Sequence, residues 1–444
     1  MKIRYFFGFA LLVAINCFDA YSQENDSTKM KKKTGFNLGL LPSVLFNSDL
    51  GFQYGALGNL YQYGDGSTYP EYRWSVYAEV ARTTKGGGIN QINFDSKYLL
   101  PFGLRLTADL SFLTQQALDF YGFNGYESRY NSSWENSASG SYISRMFYRL
   151  ERQMLRAEAS FQRQIGSSPF HWVAGVTFLK TEISDVDLVA LNKGLSGDEL
   201  LPDTISLFSL YKTWGLLPEK QWNGGRHLLL KTGLVYDSRD NEPNPMKGLW
   251  AEAVVAIAPA TLASERWAKM SVILRQYFTL ITNKLSFVYR AGYQGTLWGS
   301  VPWYQQSYMI NSLTRSTTVD GLGGGKSLRG ILRNRVVGDA VLYINAEFRW
   351  KVLHAYWKRQ NFYLAISSFA DVGRVVKAHP VDLTLVPVDK SAFFDQISDS
   401  WHPAIGGGLH IAMNENFVLA VDYGRALDNR DGQSGLYIGL NWLF

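Results

Sequence analysis

The residues best equipped for chemistry lie in one run, Gly323-Gly324-Gly325-Lys326-Ser327-Leu328-Arg329-Gly330-Ile331. Gly-Lys-Ser is how a phosphate-binding loop ends, where glycine-rich backbone and a lysine cradle phosphates at the start of a helix. Asp320 stands where that motif needs its first glycine, and the segment opens no helix, so we expect no nucleotide. What remains is an arginine on a glycine-rich turn inside the long segment Thr296 to Asp339. If that turn folds away from water, Arg329 needs carboxylate partners, because an unpaired buried charge is costly. Other chemistry is sparse. His171, His227, His354, His379, His402 and His410 are scattered without metal-ligand spacing, and no Gly-x-Ser-x-Gly nucleophile turn occurs. The single Cys17 excludes a disulfide framework and any cysteine-based metal site. We therefore expect no catalytic residue, no metal and no cofactor.

The elements that must position Arg329 are strands. Tyr72, Trp74, Val76, Ala78 and Val80 alternate with Arg73, Ser75, Tyr77 and Glu79, and Leu104 to Phe112 and Leu436 to Phe444 repeat the pattern. Only a strand puts every second residue on one face. Strands are expected near 36–47, 51–63, 72–82, 89–99, 103–114, 141–164, 170–180, 227–237, 249–258, 268–280, 284–295, 340–350, 361–373, 404–412, 416–424 and 435–444. Segment 141–164 is read as one long strand because no Gly, Pro, Asn or Asp interrupts Tyr142 to Gln164. Short and long connections alternate along the second half, as in outer-membrane barrels, where turns face the periplasm and loops the exterior. The expected fold is all-β: a 16-stranded antiparallel transmembrane β-barrel, with an inward-folded loop between strands 11 and 12.

Strand phase supplies partners for the arginine. Leu342, Ile344, Ala346 and Phe348 form an apolar face, which puts Glu347 on the lumen side. Phe362, Leu364 and Ile366 do the same for the next strand, placing Asp371 inside with Tyr363, Ala365 and Ser367. Both acids flank the loop's return path. The alternative, lumen charges that only keep the interior wet, stays open on phase alone.

Composition agrees. Aromatics make up 15% and charged residues only 18%, which excludes a disordered chain. A net charge of +6 without a basic block argues against nucleic acid. The aromatics are expected in the interfacial belts and on the lipid face. Lys2 and Arg4, apolar Phe6 to Ile15, and Ala20-Tyr21-Ser22 have the layout of a secretory signal. The expected organisation is a signal peptide over 1–22, a polar periplasmic tail over 23–35 carrying Lys29 and Lys31 to Lys33, and a barrel over 36–444. No apolar run approaches the length of a membrane helix.

Arg329-Gly330 in this setting resembles the signature loop of the bacterial surface-antigen family of 16-stranded barrels that includes BamA and TamA. That family's Val-Arg-Gly-aromatic motif is matched by Leu328-Arg329-Gly330-Ile331. The run from Tyr236 to Gly248, with Asp237, Arg239, Asp240, Pro245 and Gly248, is similar to its Asp-x-Arg-Asp to Pro-x-x-Gly periplasmic turn, and Asp371-Val372-Gly373 also fits. The likeness covers roughly 227–444; the first half matches loosely, through Leu41-Pro42 and Asn47 to Gly51. The resemblance implies that Arg329 sits in the lumen, salt-bridged to Glu347 and Asp371, locking the loop. It implies that Leu440, Trp442 and Phe444 form a C-terminal barrel signal, and that the first and last strands meet at a weak seam. Leu328 and Ile331 depart from the usual Val and aromatic, and the chain leaves no room for POTRA domains before the barrel. The implied function is assistance in inserting or translocating proteins, or lipids, at the outer membrane of a Gram-negative bacterium. Partners would be outer-membrane lipid and other outer-membrane or periplasmic proteins. A passive channel or structural scaffold that keeps the family fold is the alternative.

Overall fold

In a computed structural model, residues 33–444 are described apart from 70, 243, 261–264, 310–319, 358–359, 396 and 414–416. The expected signal peptide and most of the tail lie outside the described residues. Sixteen strands follow one another: β1 Phe36–Asn47, β2 Gly51–Gln62, β3 Trp74–Thr83, β4 Gly87–Ser96, β5 Arg105–Asp119, β6 Arg149–Gln164, β7 Phe170–Ser184, β8 Gly224–Asp237, β9 Gly248–Ala258, β10 Trp267–Ile281, β11 Leu285–Gly299, β12 Ala340–Trp357, β13 Gln360–Lys377, β14 His402–Met413, β15 Phe417–Ala426 and β16 Ser434–Leu440. Each pairs antiparallel with its sequence neighbours, and β1 pairs with β16 to close the barrel. Closure is what lets a sheet cross a membrane, since no edge of unpaired backbone then faces lipid.

Alternation sets the two surfaces. On β3, Glu79 is buried inside while Val80 is exposed outside, and Leu230, Phe348, Ile366, Ile405 and Leu409 continue the outward apolar belt. Ser111, Lys231, Arg290, Asn345 and Glu347 turn inward. The described parts of the connections after β5, β7, β11 and β13 all lie at one end of the barrel, and the turns 97–104, 165–169 and 282–284 at the other. This sorting assigns the loop end to the exterior and the turn end to the periplasm.

The long loops form a dome over the lumen. Its core is aromatic: Phe120, Tyr121, Phe123, Phe147, Tyr148, Phe208, Tyr211, Trp214, Trp303 and Phe394 are buried together. Much of the aromatic content expected at the lipid surface is spent here. The same packing corrects the reading of 141–164 as one strand. Residues 141–148 are turn and loop, and β6 starts at Arg149, because Phe147 and Tyr148 join the dome core, where their carbonyls accept from Leu207 and Phe120. Merging 141–164 gave the right strand count, but the first part belongs to the loop. At the opposite end, the turn expected over 351–360 shrinks. β12 runs on to Trp357 past a register shift between Lys351 and Leu353.

The last residues also leave the expected strand. Leu436 to Phe444 alternate as a strand should, yet β16 stops at Leu440, where Leu440 pairs with Leu419. Asn441 takes a φ of 67°, in the left-handed region that Asn tolerates better than most residues, and this turns the chain off the strand path. Trp442 then enters the lumen, with its ring 3.8 Å from that of His410 and the Arg349 guanidinium 4.3 Å above it. Arg349 also donates to the Phe444 main-chain oxygen at 2.8 Å. Leu440, Trp442 and Phe444 therefore do not share one lipid-facing surface.

Candidate functional site

Loop residues 320–339 descend from the dome as a hairpin pinned by Leu322–Val336 backbone bonds, and Leu328 and Ile331 bury against Tyr343 and Val375 of the wall. At its tip, Gly323, Gly324 and Gly330 all take positive φ. Gly330 is where glycine is required. Its φ is 95°, and a Cβ there would lie 2.5 Å from the Arg425 nitrogen on β15.

This close approach delivers Arg329 to the inner wall, where it is 1% exposed. Its Nε donates to Asp371 Oδ2 at 2.9 Å, its Nη2 to Asp371 Oδ1 at 3.1 Å, and its main-chain nitrogen to Asp371 Oδ2 at 3.0 Å. Nη1 donates to Glu347 Oε2 at 2.9 Å and to Asp422 Oδ2 at 3.4 Å. The Phe369 ring lies 3.4 Å from the guanidinium. Arg349 donates to the second Glu347 oxygen at 2.9 Å. Two arginines thus share three carboxylates. The arrangement suits arginine alone, since the planar fork meets Asp371 with both prongs while a third donor reaches Glu347.

The arginine, its glycine and the two phase-derived acids, Arg329, Gly330, Glu347 and Asp371, are brought together as the lumen reading requires. Asp422 was missed, although the alternation of Val418, Ala420 and Asp422 puts it on the inner face. Two further contacts have no local sequence signal. The Gly330 N–H donates to the Tyr437 hydroxyl of β16 at 3.0 Å. The Gly325 N–H donates to Asp49, in the β1–β2 turn, at 3.1 Å. The same loop tip therefore touches β16 and the turn that follows β1, one on each side of the closing seam. Burial, with Asp119 nearby, pushes the Asp49 carboxyl up to about 6.

The seam itself is slight. β1 and β2 pair over their whole length, whereas β1 and β16 share two residue pairs, Phe46↔Ile438 and Asn47↔Tyr437, extended by bonds between Ser48 and Leu436. Among the described residues, Phe36 to Leu45 have β2 on one side and no paired strand on the other. Phe36, Leu38 and Leu40 are each about two-thirds exposed on this edge.

The Asp237 to Gly248 motif lies elsewhere, at the turn end, and builds a rigid turn. Arg239 grips Asp237 with two bonds of 2.9 Å. Asp240 Oδ1 accepts from the Met246 and Lys247 nitrogens. Pro245 is buried, and Gly248 takes a φ of 111°, where a Cβ would meet the Ser238 oxygen at 2.3 Å.

A closed, antiparallel 16-stranded barrel with an apolar outward face defines a transmembrane β-barrel. The Omp85 superfamily domain matches residues 80–441, and the chain belongs to that superfamily. The likeness read from 227–444 thus extends through most of the first half. Among solved structures the chain is similar to BamA from Haemophilus ducreyi lacking POTRA domains 1-3, with a TM-score of 0.55 and 13% identity over 92% of this chain and 71% of that one. It is also similar to CdiB from Escherichia coli, with a TM-score of 0.50 and 10% identity over 94% of this chain and 64% of that one, less than two thirds of its length. At these identities the likeness is one of fold. A search among curated proteins finds no match.

Proposed function

We propose that this barrel assists the insertion or translocation of polypeptides at the outer membrane by opening laterally between β1 and β16. The observation that carries this reading is the seam, where two residue pairs close the barrel and most of the β1 edge is left without a strand partner. An unpaired strand edge templates another strand through main-chain hydrogen bonds, which need no particular client sequence. In this reading the loop tip is a clasp. With Gly325 bonded to Asp49 and Gly330 to Tyr437, the locked arginine holds both sides of the seam in place. Membership of the Omp85 superfamily, with fold neighbours BamA and CdiB, supports the same class of activity. Its partners are other outer-membrane or periplasmic proteins, with lipid around the belt.

The passive-channel reading finds little support, because the aromatic dome covers the exterior mouth. Depleting the protein in its host and comparing the outer-membrane proteome and lipid content tests the proposal. Loss of one or more surface proteins is expected, and unchanged levels of every other component would overturn it.

A further inference from the structure

The periplasmic mouth carries its own closure. The turn 238–247 joins neighbouring strands β8 and β9, so it has no topological need to leave that part of the rim. Its contacts nevertheless reach far around the ring. On one side, Glu242 lies 3.6 Å from Arg105, the first residue of β5, and 3.9 Å from Lys97 in the turn before it. On the other, Asn244, buried, donates through Nδ2 to the Tyr363 hydroxyl at 2.9 Å, near the start of β13. β5 and β13 are eight places apart in a ring of sixteen strands, on opposite walls. A ten-residue turn that touches both walls must cross the opening.

Its root is fixed and its tip is weakly held. The Arg239–Asp237 pair, the Asp240 bonds and the Gly248 turn make the root, and Thr279 and Gln276 of β10 donate to the Met246 and Gly248 carbonyls at 3.0 Å. Within the turn, Arg239 Nη1 donates to the Glu242 carbonyl and the Asn244 N–H to Asn241 Oδ1. The tip's contacts with the two far walls, however, are one neutral hydrogen bond and ion pairs of 3.6 Å or more to a half-exposed Glu242, which are contacts of small net strength. Such a tip can release without disturbing the barrel wall.

We propose that residues 238–242 and 244–247 form a strap that closes the lumen from the periplasm, and that an extended polypeptide or a water-soluble solute enters only when Asn244 leaves Tyr363 and Glu242 leaves Arg105. With the dome above, the resting lumen is a chamber shut at both ends. This control of access is independent of whether the seam opens.

The test places a reporter thiol at Ser271→Cys in a Cys17→Ser background. Ser271 is buried on the inner face of β10, with a hydroxyl that bonds nothing among the described residues. In proteoliposomes, a positively charged methanethiosulfonate should modify this thiol slowly. Glu242→Gln with Asn244→Ala should raise the rate at least tenfold, and Tyr363→Phe, which removes a single oxygen, should raise it in the same direction. Equal rates in all three backgrounds would overturn the proposal. Independently, Asn244→Cys with Tyr363→Cys, whose side chains meet end to end, should be joined by a short bismaleimide crosslinker, and failure of the two folded-barrel cysteines to crosslink would contradict the closed geometry.

Discussion

Arg329 and Asp371 meet through three hydrogen bonds, two from the guanidinium and one from the arginine's own main-chain nitrogen. The side chain and the loop backbone are thus fixed by one carboxylate, and both groups are 1% exposed. Removing either partner strands a charge away from water, at a cost of roughly 3–5 kcal/mol for buried pairs. Arg329→Ala and Asp371→Asn should each make residues 320–339 cleavable by limited proteolysis and lower the temperature at which the barrel unfolds. Asp422→Asn, whose oxygen is 3.4 Å from the arginine, should do much less. Equal effects at Asp371 and Asp422 would refute this ranking.

Close backbone approach also holds the loop against the wall. A Cβ at Gly330 would lie 2.5 Å from β15 backbone, and one at Gly424 would lie 2.6 Å from the Arg329 carbonyl. Gly330→Ala and Gly424→Ala should both push the loop off the wall, by about 1–3 kcal/mol each as overpacking costs go. Because they act at one contact, the double variant should be less than additive in thermal unfolding.

The dome should loosen in acid. Burial holds the His379 imidazole down to about 4, against an ordinary 6.5. Between these values the unfolded loop takes up a proton that the closed dome refuses, so stability is full above about pH 6.5 and falls as pH drops toward 4. His379 bonds Asn124 and Gln306 from other loops. Amide exchange in 378–401, corrected for intrinsic rate, should be on the order of tenfold faster at pH 5 than at pH 7.5. His379→Gln should abolish the difference.

Asp49 carries the opposite sign. Its carboxyl, pushed up to about 6 from an ordinary 3.8, takes up its proton in the folded state first. Folding is therefore favoured as pH falls through 6, because the buried charge is neutralised, while the hydrogen bond from Gly325, which favours the ionised carboxylate, weakens. Asp49→Asn keeps an acceptor for Gly325 and removes the buried charge. It should raise the unfolding temperature by a few degrees at pH 7.5 and by less at pH 5. A variant less stable than the parent at pH 7.5 would contradict this.

How far the sequence discloses this arrangement depends on whether a feature is periodic. Strand number and the inward placing of Glu347 and Asp371 follow from an alternation of two, and phase held along β12 and β13. Asp422 obeys the same rule, but nothing local shows that the loop passes β15. Tyr437 and Asp49 meet the loop only because the barrel closes, which no window of sequence reports. The turn at Asn441 was hidden for the opposite reason: Trp442 and Phe444 continue the pattern, and one left-handed residue redirects them to Arg349. Phe147 and Tyr148 look like strand aromatics until the dome offers them a dry core.

The central claim is that the barrel works by parting β1 from β16. Phe46 and Ile438 face each other at the closed end of the seam, so Phe46→Cys with Ile438→Cys should lock it with a disulfide. In cells depleted of the native protein, the locked barrel should reach the outer membrane folded yet fail to restore the surface proteins lost on depletion, and a reductant should restore them. Full restoration by the oxidised, locked barrel would contradict the account.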